Sequence, residues 1–251
     1  MLGDKPPLSP VQSFYQRILA SDPDEVAFQA EGLLKTMPLL DYYEDVALPA
    51  LALAQIDVAR GVLEPERQAQ VCDAVERVLA DLSDHVDVEP AKDENPEVAQ
   101  TPIDASPAAP QAPVGSALCL AGRTPLDQAA CAILVQLLER KGISTRVAGP
   151  DALSTSGIFT LDTAGLDVIC IFYLDRQSLT PVRYSVRRLR KKCPNIPIAV
   201  CLWGSGDLAP MADAARADAT IGTLREAFDF CAGAAKPFAN AQILPFEPAT
   251  G

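Results

Sequence analysis

Arg123, Asp127, Asp175 and Trp203 come nearest to chemistry by type and position, because each follows a short apolar run within a few residues. An arginine can pair with an anionic group, a tryptophan can stack on a planar one, and a carboxylate can hold a cation or accept a phosphoryl group. The candidate ligand-binding set is Gly122, Arg123, Thr124 and Asp127, then Tyr173 and Asp175, then Trp203, Gly204 and Ser205. In it Arg123 would pair with an anionic ligand group and Trp203 would stack on the ligand. The motifs that would make such a set catalytic are missing. The loop Gly122-Arg123-Thr124-Pro125-Leu126-Asp127 has no G-x-G-x-x-G for a dinucleotide, and no G-x-x-x-x-G-K-[ST] phosphate loop occurs. Phosphorylation of Asp175 would need an acidic pair after the first strand to hold Mg²⁺, and Gly122 and Arg123 stand there instead. The plainer reading of Asp175 is a loop aspartate that caps a helix starting near Ser178.

The remaining reactive residue types are equally sparse. The single histidine, His85, ends a helical pattern, where an exposed imidazole favours the carbonyl dipole, and without a second histidine it builds no histidine-rich metal site. Cysteines stand at 72, 119, 131, 170, 193, 201 and 231 with no C-x-x-C pair. An odd number inside apolar patterns, in a chain without a signal peptide, reads as reduced thiols packed as small hydrophobes in the cytoplasm. No metal is expected. Asp41, Glu44, Asp45 and Asp57 crowd one helical segment without a histidine or arginine beside them, which gives acid-base catalysis no footing. Trp203-Gly204-Ser205-Gly206-Asp207 is either a pocket wall or a tight turn with Trp203 against the neighbouring domain. Arg183, Arg187, Arg188, Arg190, Lys191 and Lys192 crowd one helix. They read as a solvated face, or as a contact with the acidic helical domain, the linker or anionic lipid headgroups.

The elements that would position these residues fall into two groups. Ser9-Pro10, Asp22-Pro23 and Glu64-Pro65 mark three helix starts, since proline at the first helical position gives up no hydrogen bond. Val26, Ala30, Leu33, Leu34 and Met37 form one apolar stripe. Leu40, Tyr43, Val46, Ala47, Leu51, Ala54 and Val58 form another, inside which Pro49 should kink or split the helix. From 116 onward short apolar strands at 117–121, 144–148, 167–173, 197–202 and 219–221 alternate with helices near 125–141, 178–192, 208–216 and 223–234. The expected fold is a four-helix bundle over 1–85, a Pro/Ala-rich acidic linker over 86–115, a flavodoxin-like doubly wound five-stranded parallel sheet over 116–235, and a tail over 236–251. The linker, with six prolines, should leave the two domains free to change orientation.

Charge separates the same parts, at −9 over 1–85, −5 over 86–115 and +2 over 116–251. A chain of net −12 repels a phosphate backbone, so no nucleic-acid partner is expected. No apolar run approaches the roughly 20 residues that cross a bilayer.

Two resemblances add to this reading. YYEDVALPALALAQIDVARGVLEPERQAQVCDAVERVL and LCLAGRTPLDQAACAILVQLLERKGISTRV resemble the helical cap and the first strand-loop-helix-strand of the cobalamin-binding domains of corrinoid proteins. That family carries an aspartate-x-histidine-x-x-glycine motif in the loop that is GRTPLD here, so the axial histidine is missing and no cofactor is expected. LGDKPPLSPVQSFYQRILASDPDEVAFQAEGLLK, DYYEDVALPALALAQIDVARG, LCLAGRTPLDQAA and YSVRRLRKKCPNIPIAVCLW are similar to the soluble carboxyl-terminal region of bacterial autoinducer-2 exporter (PerM-like) permeases. The resemblance implies a cytoplasmic domain tethered to the inner membrane, with the transmembrane part of the same permease as its partner. The function expected is regulatory or interactive and non-catalytic. The alternative is a small-molecule sensor that binds cobalamin or another ligand at the strand ends without a histidine.

Overall fold

The computed structural model of the chain describes residues 8–87, 115–174, 179–204, 208 and 216–235. Most of 86–115, the helix expected near 208–216 and the tail expected over 236–251 lie outside the described residues. The first helix, α1 (Pro10–Leu19), opens with a reciprocal cap. Ser9 Oγ accepts from the Gln12 N–H at 3.2 Å and the Gln12 side chain accepts from the Ser9 N–H at 3.1 Å. The second, α2 (Pro23–Leu33), starts on Asp22, whose carboxylate accepts from the Glu25 N–H.

The third segment does not split at Pro49. It runs as α3 (Leu39–Tyr42), a π-helical turn (Tyr43–Ala47) and α4 (Leu48–Ala59) without leaving helical conformation. Pro49 has no N–H to offer and its ring presses on the preceding turn. The wider turn just before it, in which the Leu48 N–H reaches back to the Tyr43 carbonyl, makes room. This segment is also buried on more sides than a single stripe predicts. Leu39, Tyr42, Leu48 and Ala50 are sealed along with Tyr43, Val46, Ala47, Leu51 and Ala54. After it, α5 (Pro65–Asp81) buries Val71, Ala74, Val75, Val78 and Leu79.

Five strands follow, β1 (Gly115–Ala121), β2 (Ile143–Ala148), β3 (Val168–Tyr173), β4 (Ile198–Leu202) and β5 (Ala219–Ile221), all parallel in the order β2-β1-β3-β4-β5. The helices between and after them are α6 (Pro125–Arg140), α7 (Gly157–Thr160), α8 (Leu179–Lys192) and α9 (Leu224–Ala234). The link from β2 to β3 also contains a 3₁₀ turn, Pro150–Leu153. It and α7 fall where the sequence shows no periodicity long enough to register.

The two faces of the sheet differ. Ala117, Cys119, Val168, Cys170, Phe172, Ala199 and Cys201 face one side and join a core that includes α6, α9 and the helices before the sheet. Leu118, Leu120, Ile169, Ile171, Tyr173, Ile198, Val200 and Leu202 face the other and meet Val182, Val186 and Leu189 of α8. The first face is mostly small, which lets α6 lie close to it, and α6 is apolar enough to need cover on its outer side as well. The bundle supplies that cover. Gln136 Nε2 donates to the Leu79 carbonyl at 2.5 Å, Tyr43 donates to Gln136, and Arg140 donates to the Ser83 carbonyl at 2.8 Å. The bundle and the sheet therefore share one core instead of hanging as two bodies on a free linker.

A shared core predicts a single unfolding transition. Leu134→Ala in α6, whose parent side chain is fully buried, should cost about 2–5 kcal/mol. Trp203 fluorescence and far-ultraviolet circular dichroism should move together in denaturant; two separated transitions would mean the bundle and the sheet are independent.

Candidate functional site

In a parallel α/β sheet the loops beyond the carboxyl ends of the strands form the binding edge. The loop after β1 is built around two packing contacts. Gly122 lies against the ring of Tyr173, where an added Cβ would come within 2.2 Å of a ring carbon, so a side chain here would force the ring to move. Tyr173 is itself buried, with its hydroxyl 3.3 Å from Ser185 Oγ.

Asp127 is the second contact. It is 2% exposed, and its carboxylate accepts three backbone hydrogen bonds, from Arg123 at 2.8 Å, Thr124 at 3.0 Å and Leu174 at 2.7 Å. Thr124 in turn caps α6 by accepting from the Asp127 N–H at 3.1 Å. Burial pushes the Asp127 carboxyl above its ordinary range, against the opposing pull of the three N–H donors. The side chain thus ties the start of α6 to the end of β3, and its oxygens already carry these bonds. Arg123 is exposed beside it.

After β4, Gly204 takes a left-handed conformation at φ 69° and its N–H donates to the Gly222 carbonyl at 2.9 Å. Trp203 is half-buried and turns toward the bundle, where Nε1 donates to Glu44 Oε1 at 3.1 Å. The other oxygen of Glu44 accepts the Arg225 N–H at 3.0 Å, in the first turn of α9, and the Arg225 guanidinium pairs with Asp41. Across the edge, Thr124 Oγ1 donates to Gln55 Oε1 at 3.2 Å. One helical segment of the bundle, through Asp41, Glu44 and Gln55, thereby reaches the loops after β1, β4 and β5.

The structure brings Gly122, Thr124, Asp127, Tyr173, Trp203 and Gly204 to one edge, while Asp175 and Ser205 lie outside the described residues. Two alternatives for Trp203 stood open, and the turn against the neighbouring helices is the one observed. Sequence reasoning missed Glu44, Gln55 and Arg225 as edge residues. The acidic run containing Asp41 and Glu44 was visible, but its arginine partner lies far along the chain, at Arg225.

The residues present do not fit a histidine-ligated corrinoid. No histidine stands in the β1 loop. His85 follows α5, and its carbonyl accepts from Arg140 at the last residue of α6, the end of that helix away from the binding edge. His85 is not the exposed helix-end side chain expected: it is half-buried, with Nε2 3.3 Å from Asp87 Oδ1. Among the described residues no group of three or more histidine, cysteine or acidic side chains is arranged to hold a metal ion.

The basic helix α8 sits on the face of the sheet opposite the bundle, so contact with the acidic helical domain of the same chain is ruled out by geometry. At least three of its charges serve the fold. Arg188 donates to the Leu153 carbonyl at 2.6 Å and to Thr155 at 2.9 Å; Arg190 pairs with Asp218 at 2.5 Å; Lys192 donates to the carbonyls of Ile158 at 2.7 Å and Phe159 at 3.0 Å.

The chain is similar to two solved structures. One is a cobalamin-binding protein from Desulfitobacterium hafniense DCB-2, 10% identical, covering 88% of this chain and 96% of that one with a TM-score of 0.41. The other is the methanol:cobalamin methyltransferase complex MtaBC from Methanosarcina barkeri, 13% identical, covering 91% of this chain and 81% of that one with a TM-score of 0.34. No protein-family model matches the sequence, and no curated protein does.

Asp127→Asn tests the edge directly. The amide keeps the size but turns an N–H donor toward backbone N–H groups, leaving at least one buried donor unpaired, and should lower stability by about 2 kcal/mol in urea unfolding. An unchanged midpoint would show that the three bonds carry no such role.

Proposed function

We propose that this chain is a non-catalytic regulatory or interaction module of a membrane permease, built on a cobalamin-domain-like fold. The observation that carries the non-catalytic part is Glu44. Its carboxylate sits on the first-turn N–H of α9 and on Trp203, at the edge where a sheet of this kind would otherwise receive an anionic ligand. Asp127 spends its carboxylate on the loop before α6 and on Leu174, so neither of these two carboxylates is left open to a ligand.

The permease part rests on the four stretches of running similarity alone. In this proposal the membrane spans belong to the same gene product but lie outside this sequence, and the domain faces the cytoplasm.

Two measurements test it. In cells expressing the native gene, an antibody against this domain should find it in the membrane fraction after a high-salt wash; recovery as a free 26.7 kDa protein in the supernatant refutes the permease part. For the ligand edge, the purified chain incubated with methylcobalamin or adenosylcobalamin and then desalted should be colourless. Retained corrinoid absorbance would establish the sensor alternative instead.

A further inference from the structure

The charges of α8 that the fold does not consume form an outward strip. Arg187 and Lys191, four residues apart and so on one helical face, are exposed. Tyr184 lies on the same face and is 56% exposed. Where Lys192 fastens α7 to the end of α8, Phe159 stands 81% exposed, more than any other large apolar side chain among the described residues. Among the described residues of the elements around α8, Asp162 pairs with Arg146 at 3.0 Å and Asp218 with Arg190, while Asp151 is exposed.

We propose that this strip is a contact site for an anionic lipid bilayer, with Arg187 and Lys191 on the headgroups and Phe159 and Tyr184 at headgroup depth. Charge complementarity selects the occupant and the orientation. The chain as a whole is −12 and residues 1–85 are −9, so an anionic surface repels the bundle side and favours approach through the face opposite it. Aromatic side chains interleaved with arginine and lysine are the composition of segments that lie at a membrane interface. A soluble acidic partner would answer the charge and leave the exposed phenylalanine unexplained. The inference goes beyond the permease proposal and stands without it, because the strip belongs to this chain whether or not membrane spans accompany it.

The test is co-sedimentation of the full 251-residue chain with vesicles. Vesicles rich in phosphatidylglycerol should pull the chain from the supernatant at low ionic strength and phosphatidylcholine vesicles should not. Salt near ~1 M, where screening shrinks to about 3 Å, should release it. Each basic residue at an anionic surface is worth about fivefold in partitioning, so Arg187→Glu with Lys191→Glu should weaken binding by about twentyfold or more. Phe159→Ser should weaken it while leaving the salt dependence in place. Both sets of variants should melt like the parent, which separates loss of contact from loss of fold. Equal sedimentation with the two vesicle types, or a double variant that sediments like the parent, overturns the proposal. So does a concentration-dependent dimer abolished by the same double variant in the absence of vesicle binding, which would assign the strip to a second copy of the chain.

Discussion

Helix α6 carries buried residues around most of its circumference, from Leu126, Ala129 and Ala130 through Cys131, Ile133 and Leu134 to Leu137 and Leu138. A helix of that kind is stable only if it is covered twice. The sheet covers one side, with alanine and cysteine at the positions where it comes closest. The bundle covers the other, and this sets the bundle's place over α6 and α9. Tyr42, Tyr43, Leu48 and Leu51 are buried on the bundle side of the same core. Once α5 lies along α6, the segment from Leu39 to Ala59 has to pass over the strand ends, and its polar residues meet the loops there.

The chemistry of the edge follows from that placement. Both α6 and α9 begin at the strand ends, and each presents backbone N–H groups and the positive end of a helix dipole. In a ligand-binding sheet those groups wait for an anion. Here Glu44 takes one of them from α9, while Asp127 accepts from Arg123 and Thr124 in the loop just before α6. Charge-assisted bonds of this kind are among the stronger ones available to a protein, so a ligand would have to displace ordered partners and not only water.

Much of this was legible in the sequence, for identifiable reasons. Continuous apolar runs such as Val168 to Tyr173 announced buried parallel strands, and Ser9-Pro10, Asp22-Pro23 and Glu64-Pro65 mark helix starts that the structure contains. The opening of α9 by Thr223 is capped in the same way, from the Glu226 N–H. Local rules read local features. Pro49 did not split the helix, because its ring is accommodated just before it by a π-helical turn with no sequence signature of its own. Glu44 and Asp127 could be noticed as carboxylates, but whether a carboxylate waits for a ligand or already holds the backbone depends on what is folded against it. The basic helix shows the same limit: Arg188, Arg190 and Lys192 look like Arg187 and Lys191 in one dimension, and only packing separates structural charges from outward ones.

The bond between Glu44 and the start of α9 joins residues 181 positions apart. It closes one of the longest loops among the described residues, and non-local closures are the slow steps of folding because their entropy is lost before the contact rewards it. During synthesis the bundle emerges first, yet its outer surface has no α6 and no α9 to rest on until most of the chain has followed. The Glu44 contact is therefore a marker of completion: a chain cut short before Arg225 can still pack its bundle on α6 but lacks α9, and the surface that α9 would cover stays open for chaperones or proteases to find.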